Sequence, residues 1–416
     1  MRGQGPAPDI AVIGGGIIGC AAAAFLAEAG ARVRLYERIE IAAGASGRNS
    51  GIVQHPFDAV LAGLYRATLA EYRALAADDA GFVIPAEPAG LLYVGREPER
   101  AQAEAAAWAA AWPASRPEIL TGDALHRLEP ALARDLVACR LGIGYPVAPA
   151  AATQAFAVVG ARRGVEMVRG DARPAIVEGR AVGVRVGDRM EPAGAVLVAT
   201  GPWTPEVVDP TGSWRPIRPF WGVVASLALP AAPSHALEAA EITIEPASAA
   251  GPGAEATQAD ATQAATTPEP GGAVDDGGQD QPSDRDVEFS LVPADGSSAL
   301  GSTFLPAEPD PTAWLAALRR VGARYVPAIA DAPLVGLRVC ARPVSADGRP
   351  LVGAIADVAG LFVAAGHGPW GISTGPASAR LVADLILGRI GPAGVPEALD
   401  PARFGPLQRQ ESGSSM

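Results

Sequence analysis

The amino-acid sequence predicts an α/β fold, α+β overall, that contains a Rossmann-like domain. Three observations support this prediction. The segment Ile10–Arg38 follows the pattern strand, glycine turn, helix, strand. Later apolar strands alternate with helical periods, and the last one leads into a second glycine turn and a long helix. At 416 residues, the chain is long enough for two domains with sizeable cores.

The first glycine turn predicts a dinucleotide site. Gly14, Gly16 and Gly19 form G-x-G-x-x-G between the strand 10–13 and a helix. The first glycine permits the tight turn, the second lets backbone N–H groups approach a pyrophosphate, and the third lets helix and strand pack closely. The helix N-terminus adds unpaired donors and the positive end of its dipole.

Glu37 stands at the tip of the second predicted strand, 18 residues after Gly19. A carboxylate at this position accepts hydrogen bonds from both ribose hydroxyls of a dinucleotide. Its negative charge disfavours a 2′-phosphate, which argues against NADP.

Composition excludes several other classes. A hydrophobic fraction of 49% predicts a globular chain, and a net charge of −12 leaves no broad basic surface for nucleic acid. All 33 basic side chains are arginine, so a Schiff-base or P-loop lysine is excluded. Three cysteines do not make a disulfide framework, and no metal site is predicted. With no signal peptide and no predicted membrane span, we expect a cytoplasmic protein.

The remaining elements follow from apolar periodicity and turn residues. After a small-residue loop over 39–53, helices are predicted over 58–78, 98–112, from 121, over 153–163, 311–325 and within 366–388; strands are predicted over 83–94, 141–147, 165–168, 180–189, 189–199, 214–229, 287–305, 334–342 and 361–365. The segment 246–286 has no aromatic residue and no periodicity, so we expect a disordered insertion in a surface loop.

Five segments together resemble the FAD-dependent amino-acid and amine oxidoreductases, namely D-amino-acid oxidases and dehydrogenases, glycine oxidase and sarcosine oxidase. These segments are GGGIIGC at Gly14–Cys20, GASGRNSG at Gly44–Gly51, VLVATGPW at Val196–Trp203, RPVSADGRPLVG at Arg342–Gly353 and GHGPWGISTGPASA at Gly366–Ala379. The last two, in this order near the chain's end, are the most specific. L-2-hydroxyglutarate dehydrogenase also has a segment similar to RNSG.

The resemblance covers nearly the whole chain except the insertion, and it implies a split architecture. A Rossmann-like FAD-binding domain would be assembled from 1–80, 141–212 and 341–395 and interleaved with a mixed-sheet substrate domain from 81–140 and 213–340, with 396–416 as a C-terminal tail.

The resemblance also implies that FAD is the cofactor. Its expected binding residues are Gly14, Gly16, Ile17, Ile18, Gly19, Glu37, Arg38, Ala45, Ser46, Arg48, Asn49, Ser50, Gly51, Val168, Ala199, Thr200, Gly201, Trp203, Cys340, Arg342, Gly366, His367, Gly368, Pro369, Gly371, Ile372 and Ser373. N–H groups of the C-terminal glycine turn are expected near N1 and C2=O of the flavin, where reduction adds negative charge.

Arg342, His367 and Arg48 are the candidate catalytic residues. Relatives such as glycine oxidase place an arginine at the position of Arg342 against the substrate carboxylate, which suits a planar, permanently charged guanidinium. The alternative is a structural ion pair with a core acid. His367 lies near the flavin by resemblance, although an ordinary buried histidine is the alternative. Arg48 is a second cation that would face flavin or substrate.

Cys340 has two interpretations. In monomeric sarcosine oxidase, a cysteine a few residues before the matching turn bonds covalently to the flavin, and Cys340 has a similar spacing ahead of Asp347. The alternative is a small apolar side chain that fills a core.

The expected reaction is oxidation of the CH–N bond of an amino acid (a D-amino acid, glycine or an N-methyl amino acid). Hydride would pass to flavin N5 and give an imino acid, and the electrons would go on to oxygen, a quinone or a carrier. One alternative is a flavin-dependent 2-hydroxy-acid dehydrogenase, which needs a base such as His55 or His367. Another is a non-catalytic flavin-binding subunit.

Overall fold

The structure is a computed structural model that describes residues 9–239, 282–294 and 296–407. Most of the predicted insertion, from 246 to 281, lies outside the described residues, as do Asp295 and the tail from Gln408. No helix within the described ranges is long and apolar enough to cross a membrane.

Helices and strands alternate over about the first third of the chain, and several strands follow one another directly after that. In order, they are β1 Ile10–Ile13, α1 Ile17–Glu28, β2 Val33–Glu37, α2 Ala45–Arg48, β3 Ile52–Val53, α3 Ala59–Ala77, β4 Leu91–Gly95, α4 Pro98–Ala111, β5 Glu118–Thr121, α5 Gly122–Leu128, β6 Val137–Leu141, β7 Tyr145–Pro146, α6 Ala151–Arg162, β8 Glu166–Arg169, β9 Ala172–Val177, β10 Arg180–Val186, β11 Arg189–Pro192, β12 Ala195–Val198, α7 Thr204–Val208, β13 Ile217–Leu227, β14 Ala236–Ala239, β15 Val287–Ala294, β16 Ser297–Thr303, α8 Pro311–Ala323, β17 Leu334–Ser345, β18 Leu351–Ala354, β19 Leu361–Ala365 and α9 Gly371–Ile386.

The first of the two large sheets has six strands in the order β18-β19-β12-β1-β2-β8. All neighbours are parallel except β18 and β19. Ile10 and Val12 pack into a core with α1, α3, α6 and α9, whereas Ala11 and Ile13 pack into a core with the three-stranded sheet β9–β11. Both faces of β1 are therefore covered, which explains its unbroken apolar sequence.

The second large sheet is mixed and has eight strands in the order β17-β13-β16-β15-β14-β4-β6-β5. Val223 and Val339 point to the face that packs against α5 and α8. Because side chains alternate along a strand, Arg338, Cys340 and Arg342 point to the opposite face. There the Arg338 guanidinium donates to the backbone oxygen of Asn49 over 3.0 Å, so this face looks toward the loop that follows α2.

The α/β class is confirmed, and several predicted boundaries are wrong. The predicted strand pair over 83–94 contains only β4, because prolines occupy the stretch before it. Glycines 142 and 144 interrupt the strand predicted over 141–147. The loop over 39–53 contains α2 and β3. No prediction covers strands β5, β9, β14 and β18 or most of β6. The last residues of the insertion are ordered, because Asp284 pairs with Arg320 at 2.9 Å and with Arg324.

Candidate active site

The glycine turn after β1 requires glycine for steric reasons. Gly14 has a φ of 111°, and a Cβ there would lie 2.4 Å from the backbone oxygen of Ala199. A Cβ at Gly19 would lie 1.9 Å from the backbone oxygen of Gly14. A Cβ at Gly16 would meet only the Ser46 hydroxyl, at 3.1 Å. The first and third glycines therefore allow strand, turn and helix to pack together, while the second lies beside a polar side chain.

The surroundings of this turn fit an adenosine diphosphate. The N-cap residue of helix α1 is Gly16, which has no side chain to cap the helix. The Ser46 hydroxyl instead accepts a hydrogen bond from Ile17 N over 2.9 Å. The Glu37 carboxylate accepts from Gly15 N over 2.7 Å and from Ile39 N over 2.8 Å. These bonds fix the carboxylate, and each oxygen keeps a further lone pair for a ribose hydroxyl.

Other predicted cofactor residues gather at the same end of the six-stranded sheet. Val168 pairs with Tyr36 at the sheet edge, and Ala199 N donates to Ile13 O over 2.8 Å. The Arg38 guanidinium lies 4.5 Å from the ring centroid of Trp203. These contacts place Ala199 next to the glycine turn and Trp203 next to Arg38, with Thr200 and Gly201 between them in the chain.

The loop from Ala45 to Gly51 is held mainly by Asn49. Its side-chain amide donates to Ser46 O over 2.8 Å, and its side-chain oxygen accepts from Gly51 N over 2.8 Å. Arg48 is exposed, and its guanidinium donates to Val339 O over 3.4 Å. The Asn49 side chain thus shapes the loop, while Arg48 and Ser50 lie close to the eight-stranded sheet.

The C-terminal glycine turn lies between β19 and α9. Gly366 and Gly368 have φ values of 85° and 53°. Helix α9 begins at Gly371, and Trp370 provides no side-chain cap, so the first-turn N–H groups stay available to a ligand. The Ser373 hydroxyl accepts from Gln54 N over 2.9 Å, which ties this helix end to the strand β3. Ile372 lies in the same turn, and Pro369 is exposed.

His367 is only 1% exposed and packs against α9. Its Nε2 lies 3.0 Å from the Ser378 hydroxyl, and its Nδ1 has no hydrogen-bond partner among the residues that the structure describes. Burial lowers the pKa of His367 to about 3. The ring is therefore neutral near pH 7.

His55 lies in an aromatic cluster, with ring centroids 5.4 Å from Phe57, 5.0 Å from Tyr65 and 5.1 Å from Trp112. Burial, with a smaller contribution from Arg66, lowers the pKa of His55 to about 4. It too is neutral near pH 7.

Arg342 is half-buried and held by neutral groups. Its guanidinium donates to Thr303 O over 2.6 Å and to the Ser302 hydroxyl, and it lies 4.2 Å from the ring centroid of Phe304. Burial lowers the pKa of Arg342, while Cys340 and the more distant charge of Glu288 act in the opposite direction. Within the described ranges, Arg342 takes part in no ion pair. Both interpretations of Arg342, as a substrate anchor and as a structural pair with an acid, stay predictions.

Cys340 lies between Arg338 and Arg342 on the same face of β17. It is buried, and burial raises the pKa of its thiol, while the arginines oppose the shift. Its position near Arg48 places it on the side of the α2 loop, and covalent attachment to a flavin stays a prediction.

Sequence reasoning missed Gly222, Gln54 and Arg338. Arg338 donates to Ser226 Oγ over 2.6 Å and to the backbone of Asn49. Gly222 could have been found from the sequence, because a glycine among bulky residues of a strand often marks a place where another group comes close to the backbone. Trp221, next to Gly222 in β13, lies on the opposite face, which packs against α8.

Comparisons with known proteins give a consistent result. Residues 9–385 match the family described as FAD dependent oxidoreductase (DAO). A glycine oxidase from Pseudomonas aeruginosa is 33% identical over 124 residues, a match that covers 29% of this chain and only 32% of that protein.

Solved structures share the fold over nearly their whole length. A glycine oxidase from Bacillus cereus has a TM-score of 0.72 at 22% identity, covering 92% of this chain and 96% of that one. An iminodiacetate oxidase from Chelativorans sp. has a TM-score of 0.74 at 21% identity, covering 94% and 98%. The family match runs from β1 almost to the end of α9, so this chain belongs to the DAO family of FAD-dependent oxidoreductases, and FAD is its cofactor.

Proposed function

We propose that this enzyme oxidises the CH–N bond of an amino acid, with Arg342 binding the substrate carboxylate. The observation that supports this most is a half-buried guanidinium that forms no ion pair within the described part of the chain. The partial match to a glycine oxidase agrees with an amino-acid substrate.

The charge of Arg342 is the main argument. A partly desolvated cation loses hydration energy, and neutral acceptors such as Thr303 O and Ser302 Oγ compensate only part of that loss. An incoming carboxylate would complete the compensation through charge-assisted hydrogen bonds. The site is thus better suited to an anionic ligand than to a neutral amine.

The chain's own groups then have distinct tasks. The glycine turn, Glu37 and Ser46 would hold the adenosine diphosphate of FAD, and the first turn of α9 would lie near its reactive ring. FAD supplies the two-electron acceptor of the reaction. Arg342 orients the substrate by its carboxylate, which lowers the entropic cost of reaching the reactive geometry. An amine that binds uncharged needs no separate base.

The 2-hydroxy-acid alternative requires a group that takes the hydroxyl proton. Its two candidates, His55 and His367, have pKa values of about 4 and about 3. Such weakly basic rings are poor proton acceptors near pH 7. Oxidation of an amine is therefore favoured over oxidation of a 2-hydroxy acid. A non-catalytic flavin-binding subunit would not need the partly buried charge of Arg342.

Replacing the arginine tests this proposal. We expect Arg342→Ala to raise KM for an amino acid by roughly 10- to 100-fold, the range for losing a hydrogen bond to a charged group. Arg342→Lys keeps the charge but not the planar fork, so we expect an intermediate effect. Arg389→Lys, on the surface, is the matched control.

The substrate gives a second, independent comparison. An amino acid should be oxidised far better than its carboxamide, and that preference should shrink in Arg342→Ala. Equal rates for acid and amide in the unmodified enzyme would contradict the proposal. Oxygen and a dye acceptor should be tested in parallel, since they distinguish an oxidase from a dehydrogenase.

A further inference from the structure

Glu238 lies on the same face of the eight-stranded sheet as Arg342. Arg338 is opposite Val224, and Ser290 is opposite both Gly301 and Glu238. A Cβ at Gly301 would lie 3.0 Å from Ser290 Oγ and 3.9 Å from Val224 Cγ2, so these positions share one face. These residues therefore form one row across the sheet, which runs from Arg338 on β17 to Glu238 on β14.

The environment of Glu238 complements that of Arg342. The Gln54 side chain donates to Glu238 Oε1 over 3.0 Å, and the Tyr93 hydroxyl also bonds to this carboxylate. No arginine or histidine in the part of the chain that the structure describes forms an ion pair with Glu238. Burial raises its pKa to about 6, and Glu288 adds to the shift. Glu238 is nevertheless half-buried, so part of the residue stays open to solvent.

Glu238 is also coupled to the cofactor end of the site. Gln54 uses its side chain for Glu238 and its backbone N–H for Ser373, in the first turn of α9. The carboxylate is thus held at a fixed position between the sheet and the predicted flavin site.

We propose that Glu238 forms an anionic subsite for the distal cationic group of the substrate, so that the preferred substrates are amino acids with a basic side chain. This inference rests on the proposed function, because it assumes that Arg342 holds the α-carboxylate. The substrate would then span the sheet between a cation and an anion of the protein.

The separation of the two charges favours a distal group over the α-amino group. The Arg342 guanidinium lies over Gly222 on β13, and three strand spacings of about 4.8 Å separate β13 from β14. Glu238 is in register with Val224, about 7 Å along β13 from Gly222, so the separation is on the order of 16 Å. Hydrogen bonds of about 3 Å at each end leave roughly 10 Å for the substrate. Only the far end of a long basic side chain approaches this length: the six single bonds between the carboxylate carbon and the side-chain nitrogen of lysine reach about 8 Å, whereas the α-nitrogen lies only two bonds from that carbon.

The first test compares lysine with norleucine, which has a side chain of similar length without the charge, in both enantiomers. The holoenzyme should prefer lysine in kcat/KM. Glu238→Gln should lower that preference roughly 10- to 100-fold, almost entirely through lysine, and Glu238→Asp should retain part of it. Glu308→Gln, at an exposed acid of the same sheet system, is the control.

Binding without turnover provides the second readout. 6-Aminohexanoate and hexanoate cannot be oxidised at an α-amino group, and each perturbs the visible spectrum of a bound flavin when it occupies the site. The holoenzyme should bind the amino compound more tightly, and Glu238→Gln should abolish the difference while leaving hexanoate affinity and thermal stability unchanged.

The outcomes separate this inference from the proposed function. If Arg342→Lys weakens both ligands but Glu238→Gln leaves their ratio unchanged, the subsite is wrong and the carboxylate anchor stands. If Arg342→Lys affects neither ligand, the anchor itself is wrong. A holoenzyme that prefers norleucine to lysine would also overturn the subsite.

Discussion

Gly222 leaves the space that the Arg342 guanidinium occupies. A Cβ on Gly222 would lie 2.4 Å from Nη2 of Arg342 and 2.5 Å from both Nη1 and Cζ. The two residues lie on neighbouring strands, where Gly222 is directly opposite Cys340. The absence of a side chain at 222 lets the long arginine fold back across β13 and reach Thr303 O.

Gly222→Ala should therefore displace Arg342 without unfolding the sheet, because the atoms that must move are at the end of a flexible side chain. We expect KM for the amino acid to rise several-fold, with little change in kcat or in the thermal midpoint. Gly336→Ala in β17 is the matched control, since a Cβ there meets nothing within 4 Å. Combining Gly222→Ala with Arg342→Ala should add no further loss, and additive effects would count against the positioning role.

Gly19→Ala should destabilise the cofactor domain severely. Its Cβ would lie 1.9 Å from the backbone oxygen of Gly14, and neither backbone segment can move without opening the turn. Gly63→Ala in α3 is the opposite case, because its Cβ meets nothing within 4 Å and alanine is the better helix former by about 0.5–1 kcal/mol. Urea unfolding should show a large loss for the first variant and a small gain for the second. A stable Gly19→Ala protein would contradict the packing described here.

Glu37→Gln should weaken FAD binding. The change removes a negative charge that fixes Gly15 N and that is available to ribose hydroxyls. We expect a roughly 10-fold higher dissociation constant for FAD, the effect of losing about one charge-assisted hydrogen bond. Titration of the apoprotein with FAD measures it, and Glu40→Gln, an exposed acid three residues later, should bind FAD normally.

Acid should destabilise the protein before most carboxylates titrate. The pKa of His367 is about 3 in the folded state, below its ordinary value of 6.5, so between these values the unfolded chain binds more protons. Stability should therefore fall as the pH drops from 7 to 5, by at most about 1.4 kcal/mol per pH unit for this group. His55, with a pKa of about 4, acts in the same direction.

Thermal unfolding against pH measures this effect. His367→Gln should be less stable at pH 7 but show a shallower dependence between pH 5 and 7. An unchanged dependence in this variant would mean that His367 is not the buried neutral group described above.

Cys340 can be tested by acid precipitation of the holoprotein. Burial keeps its thiol protonated, which disfavours attack on the flavin, so we expect the yellow colour to remain in the supernatant. Colour that stays with the pellet, and that Cys340→Ala releases, would establish the covalent link instead.

The sequence was most informative where the structure is local. The helix predicted over 58–78 from apolar periodicity runs over Ala59–Ala77, and the Asp58 side chain caps it by accepting from Val60 N and Leu61 N. The glycine turn, its helix and Glu37 also follow one another directly in the chain, so their arrangement could be predicted from spacing alone.

Features built from distant segments were harder to predict. The residues of β14, with the sequence ALEA, favour a helix. They form a strand because they pair with β4 and β15. The partners of Arg342 come from β13 and β16, whose register no local pattern specifies. Glu238 therefore had no signal in the sequence, although Arg342 did.

The most direct test of the central claim is anaerobic mixing of the holoprotein with substrates while absorbance near the flavin maximum is followed. We predict that amino acids bleach the flavin, that matched 2-hydroxy acids do not, and that Arg342→Ala requires much higher amino-acid concentrations for the same rate. Bleaching by 2-hydroxy acids alone, or by amino acids equally well in Arg342→Ala, would contradict the account.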